Sequence, residues 1–125
     1  MPKAKNIKER VTQVARWLKS EWELEKVKRI EWIDCSEEAD YQTRDDALYG
    51  YVLERDNYLV IRLCERCCRT RALAIETLIH EMAHAALWDE GLGYYHGPLY
   101  WTQYGEFQDA YEHHGYSDSM SQSPL

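Results

Sequence analysis

Near the start of the chain, Ile7, Val11, Val14, Leu18 and Trp22 recur every three or four positions, with mostly polar residues between them. That period gathers them into one stripe and predicts an amphipathic helix over residues 7–26. Asn6, with Glu9 three residues later, has the residue types of a helix-capping pair. The period then shortens to two: Ile30 and Trp32 alternate with Arg29 and Glu31, as in a strand covered on one face. Residues 35–47 are polar and acidic and predict a loop. Two runs rich in β-formers, 49–54 and 58–63, flank Arg55-Asp56-Asn57 and predict a hairpin.

No Gly or Pro interrupts the chain between residues 69 and 90. Strong helix formers dominate there, and apolar residues cover most of the helical circumference, which predicts a helix buried in the core. Gly91, Gly93, Gly97 and Pro98 then break the pattern. A last helix is expected over 98–113, with Pro98 in its first turn. Residues 117–125 are polar and Ser-rich and read as a disordered tail to a single domain spanning 1–116. The order helix, three strands, helix, glycine loop, helix predicts an α+β fold, a small three-stranded sheet packed on helices.

With 125 residues the chain can bury one substantial core. No run approaches the roughly 18 apolar residues of a membrane span, and the N-terminus has no apolar signal core, so a cytoplasmic protein is expected. A formal net charge of −7 argues against non-specific nucleic-acid binding through the overall field. Two local clusters, Lys3/Lys5/Lys8/Arg10 and Arg62/Arg66/Arg69/Arg71, have the charge to touch phosphate, although such clusters are more often solvated surface. Ten Tyr and five Trp against one Phe suggest amphipathic aromatic surfaces near a cleft. Cys35, Cys64, Cys67 and Cys68 contain only one half of a zinc-ribbon spacing, so reduced thiols are expected, with a second metal site as the lesser alternative.

The candidate chemistry lies in His80-Glu81-Met82-Ala83-His84. Four residues turn a helix by about 400°, so His80 and His84 stand one above the other on one face. Two imidazoles so placed can grip one Zn²⁺, and Glu81 can take a proton from a metal-activated water. A catalytic zinc site commonly has three protein ligands. The third can come from His96, beyond the glycine loop, from Glu106 on the last helix, or from His113 or His114 at that helix's end. Glu76, Glu106 and Asp109 are candidates to orient the ligand rings, and Tyr94, Tyr95, Tyr100 and Tyr104 to donate to a developing oxyanion.

The segment from His80 to Trp88, followed by His96-Gly97-Pro98-Leu99-Tyr100-Trp101, resembles the SprT-like metalloprotease domain of the Spartan/SprT family. Val60-Ile61-Arg62-Leu63 is similar to that family's strand before the motif helix. The resemblance covers residues 7–113 and is most specific over 78–101. It implies a zincin-like fold with the motif on a central helix, a zinc endopeptidase, His80, His84 and His96 as zinc ligands, and Glu81 as catalytic acid/base. It also implies protein substrates and, for some members, DNA–protein crosslink repair. Many members carry a further zinc ribbon or long tails that this acidic chain does not show, so the protease core is better supported than DNA dependence. A zinc hydrolase of a non-protein substrate and a non-catalytic zinc-containing binding module are the competing classes.

Overall fold

The computed structural model describes residues 4–34, 49–93 and 96–114. The predicted loop at 35–47, the tail at 117–125, and Tyr94 and Tyr95 lie outside them.

Helix α1 spans Ile7–Glu21, and the Asn6 side chain accepts a hydrogen bond from the Glu9 N–H at 2.8 Å, as the capping pair predicts. It stops five residues short of the expected 26. Glu23 turns to a left-handed φ of 53°, and the Leu24 N–H bonds back to the Lys19 carbonyl at 2.9 Å. That six-to-one bond closes the helix end, a job usually given to glycine.

Three strands follow: β1 (Val27–Ile33), β2 (Gly50–Arg55) and β3 (Tyr58–Cys64). They lie in the order β1-β3-β2, with β1 parallel and β2 antiparallel to β3. Arg55 pairs with Tyr58, which leaves Asp56-Asn57 as the predicted hairpin turn, with Asp56 at a φ of 43°. Alternation along β3 sorts the faces. Leu59, Ile61 and Leu63 join the main core, while Arg62 faces the other way, towards Glu31 and Tyr51.

Helix α2 (Arg71–Ala86) is capped by Thr70, whose hydroxyl accepts from the Leu73 N–H at 3.1 Å. It packs against α1, β2, β3 and the last helix, α3 (Pro98–His113). Eleven of its sixteen residues are buried, as its all-round apolar pattern predicts. Gly50 permits the close fit to β2. A Cβ there would sit 2.5 Å from the Arg62 carbonyl oxygen and 3.2 Å from the Thr77 methyl. A 3₁₀ turn, Trp88–Glu90, ends at Gly91 with φ 75°. It is tied down by the Lys26–Asp89 ion pair and by the Trp88 indole N–H donating to Glu54 at 3.0 Å. Helix α3 has the predicted bounds and buries Tyr100, Phe107 and Tyr111. The architecture is therefore α+β, three helices with a small three-stranded sheet.

Two expectations change. Cys64 is disulfide-bonded, while Cys67 and Cys68 are in no disulfide, so the reading of four reduced thiols fails at Cys64. Disulfide connectivity has no local sequence signature. The two basic clusters are also largely consumed by the fold. Arg10 and Arg71 are buried, Arg62 bonds Glu31, Lys8 meets Glu65 at 2.9 Å, and Arg66 approaches Asp34 at 3.9 Å. No described helix is long and apolar enough to cross a membrane.

Candidate metal centre

His80 and His84 lie one turn apart on α2, with ring centroids 4.9 Å apart. The chain leaves α2 through the 3₁₀ turn and returns at His96, just before the Gly97 cap of α3. Three ring nitrogens converge there. The Nε2 atom of His84 lies 3.3 Å from that of His80 and 3.0 Å from that of His96, and the third edge is 3.5 Å. Three imidazole nitrogens each about 2.0–2.1 Å from one tetrahedral ion would stand about 3.3 Å apart. The triangle therefore fits a divalent ion. Each neutral ring can present only one lone pair or one proton at Nε2, so hydrogen bonding alone cannot satisfy all three edges. A cation at the focus can. His84 is buried, His80 half-buried and His96 exposed, so the cluster opens to solvent on the His96 side.

Tyr100 forms the support beneath the rings. It is fully buried, and its ring centroid lies 4.4 Å from His84, 5.0 Å from His96 and 5.5 Å from His80. Its hydroxyl donates to the His80 carbonyl at 3.0 Å, which locks α3 to α2 at the motif. Burial, followed by the Glu81 and Tyr104 charges, pushes the Tyr100 phenol well above its ordinary range, so it remains a donor. Of the oxyanion candidates, then, Tyr100 has its proton committed to a backbone carbonyl. Tyr104 is partly buried, with its ring 6.5 Å from His80, and its phenol is raised by burial and then by Glu76.

Glu81 is buried next to His80 and lines a cavity of about 140 Å³ together with Tyr49, Gly50, Glu76 and Thr77. Burial pushes the Cys68 thiol up, and the neighbouring Cys67 and the Glu81 charge add to that. Cys68 also donates to the Tyr49 carbonyl at 3.6 Å, bracing the cavity wall. The sequence pattern did not single out Tyr49, Gly50 or Thr77. Thr77 stands four residues before Glu81 on the same helix face, so helical spacing alone was enough to find it.

The other sequence candidates lie apart from the cluster. Glu106 is exposed and contacts Gln103. His113 stands 2.7 Å from the Asp109 carbonyl, a hydrogen bond that, with the nearby Asp109 carboxylate, raises its pKa. His114 stacks on Trp17 at 4.3 Å. Of the four candidates for a third ring or carboxylate, His96 alone joins His80 and His84 among the described residues. Glu76 lines the Glu81 cavity and is exposed. The expected aromatic surface is present: exposed Trp101 lies 6.4 Å from His96 and 5.5 Å from Tyr104, beside exposed Leu99.

No curated protein and no solved structure matches the chain. The family model of the SprT-like family matches residues 10–117, which include α1 from Arg10 onward, the sheet, all three histidines of the cluster and Glu81. With most of its length so matched, the chain belongs to the SprT-like family.

Proposed function

We propose that this protein is a zinc-dependent metalloendopeptidase acting on protein substrates. The observation that carries the proposal is the Nε2 triangle of His80, His84 and His96, with edges of 3.0–3.5 Å, beside a buried carboxylate at Glu81. Borderline-soft imidazole donors in a three-nitrogen set suit Zn²⁺. The ion, when bound, supplies Lewis acidity for the attacking water and for the substrate carbonyl. Glu81 accepts the proton of the attacking water and delivers it to the leaving amine as the C–N bond breaks. Tyr100 holds the His80 turn of α2 in place and excludes water from beneath the rings. Exposed Trp101 and Leu99 offer an apolar surface next to His96 for an unfolded segment of substrate. DNA-associated or DNA-crosslinked proteins are the substrate class to which family membership points.

The test compares wild type with Glu81→Gln on an unfolded protein and on a DNA-bound protein, with and without chelator, while metal content is measured by mass spectrometry. The expected result is about one zinc per chain in both proteins, with chelator-sensitive cleavage in the wild type alone. A metal-free wild type overturns the zinc assignment, and equal cleavage by Glu81→Gln removes Glu81 from the mechanism. His96→Ala should sharply lower zinc content and Glu106→Ala should leave it unchanged.

A further inference from the structure

Helix α1 and the edge strand β1 enclose a second cavity, of about 330 Å³, which shares no residue with the histidine cluster. Arg16 and Lys19 enter it from α1, and Lys28 and Arg29 from β1, above an apolar base that includes Ala15 and Val27. Half of the lining residues are cationic, and no carboxylate lines the cavity. Arg16 and Lys19 are three residues apart on the helix and therefore adjacent on its surface. Lys28 occupies the register irregularity between Val27 and Arg29, where an irregular pairing can re-aim a side chain.

The surrounding charge makes this arrangement unusual. The chain has 22 acidic residues against 15 basic ones, so carboxylates are in excess. Elsewhere they are used: Lys8, Lys26, Arg62 and Arg66 all have acidic partners. In the cavity, Arg29 alone has one, bonding Glu31 at 2.7 Å. Among the described residues, Arg16, Lys19 and Lys28 form no ion pair. Like charges gathered in a concave, partly apolar setting repel one another, and a bound anion offsets that repulsion.

We propose that the α1–β1 groove binds a small polyphosphate, such as the phosphate chain of a nucleotide-class ligand. Arginine forks and lysine ammonium groups both match phosphate oxygens, the former in pairs and the latter as point charges. The cavity volume lies at the lower end of the range for small-molecule sites. A nucleic-acid strand would need a longer cationic track. The end of α1 and its connection to β1 instead carry exposed Glu21, Glu23 and Glu25, so the positive region is local.

The test is calorimetric titration of the full-length protein with inorganic tripolyphosphate at low ionic strength, with a mixed-sequence single DNA strand as a separate arm. Wild type should bind tripolyphosphate saturably, and added salt should weaken the binding. Binding should fall at least about tenfold in R16Q/K28Q, the loss of two charge-assisted contacts. Lys5→Gln, an exposed cation outside the groove, should bind as wild type does. Thermal unfolding establishes that each variant is folded. If R16Q/K28Q is not, K28Q alone, at an exposed strand position, gives the same readout. Absence of saturable tripolyphosphate binding by wild type overturns the proposal, and so does equal affinity in the groove variants. DNA binding that depends on Arg16 and Lys28 without tripolyphosphate binding also overturns it, because it assigns the groove to a polymer.

Discussion

On the outer face of the sheet, Arg62 donates to Glu31 at 2.9 Å and to the Tyr51 hydroxyl at 3.0 Å, while Arg29 donates to Glu31 from the other side at 2.7 Å. There, each guanidinium meets an oxygen acceptor, and Glu31 joins the two arginines. At the turn of α2, three Nε2 atoms instead point at one another across 3.0–3.5 Å. Both regions place polar atoms on regular elements, and both are partly shielded from water. They differ in complementarity. A ladder that pairs donors with acceptors stabilises the fold by itself, whereas a cluster that repeats one kind of atom depends on something added. The contrast sets a self-satisfied ion-pair ladder apart from a histidine cluster that fits a divalent ion, without reference to sequence motifs.

The strongest way to break this comparison is to remove the metal. If the histidine cluster depends on an ion, chelation should lower the thermal midpoint of the wild type. The loss corresponds to about 4 kcal/mol if free metal had been a thousandfold above its dissociation constant. His84→Ala should show little further response to chelator. Scanning calorimetry with and without chelator measures both, and a wild-type midpoint unmoved by chelator would make the cluster as self-sufficient as the ladder.

Tyr100→Phe probes the support of the same region with a smaller effect. The ring stays against His84, and only the hydrogen bond to the His80 carbonyl is lost, which should cost about 0.5–1.5 kcal/mol in denaturant unfolding. A loss several times larger would mean that the hydroxyl, rather than the buried ring, holds α3 against the motif.

The ladder should respond least, and through pH. Burial pushes the Glu31 carboxyl up, but the hydrogen bonds from Arg29 and Arg62 together outweigh it and hold the group below its ordinary value. A carboxyl whose folded pKa lies below its unfolded one adds stability above the unfolded value, and that stability fades as the pH falls through the folded one. Glu31→Gln should therefore be less stable than wild type at neutral pH by under about 1 kcal/mol. The gap should narrow as the pH drops below about 4. Parallel urea titrations at pH 7 and pH 3 measure it, and a gap that widens in acid would reverse the sign assigned to Glu31.

Legibility from sequence differed sharply between elements. The β2–β3 hairpin and α3 fall where alternation, Asp56-Asn57 and Pro98 place them, because strand pairing across a short turn and helix initiation are local events. The end of α1 falls five residues before the point that the periodicity predicts. Apolar periodicity continues through Trp22, but the chain reverses at Glu23, a residue type with no special preference for left-handed backbone. The cavity beside Glu81 is not legible in the sequence, because its wall at Tyr49 and Gly50 comes from the start of β2, more than thirty residues before Glu81.

What the sequence determined alone was the pair. With 3.6 residues per turn, His80 and His84 must share a face once the helix forms, and the residues from 71 to 86 leave it little alternative. Tertiary structure decided the rest. It chose His96 over Glu106, His113 and His114, because the path of a glycine-broken segment is set by packing and carries no period of its own. It gave Lys8, Arg62 and Arg66 of the basic clusters acidic partners, and it assembled Arg16, Lys19, Lys28 and Arg29 into one groove from two different elements. Charges adjacent in sequence can find partners across the fold, and charges far apart can be left facing one another. Only the packing of α1 on the sheet distinguishes the two cases.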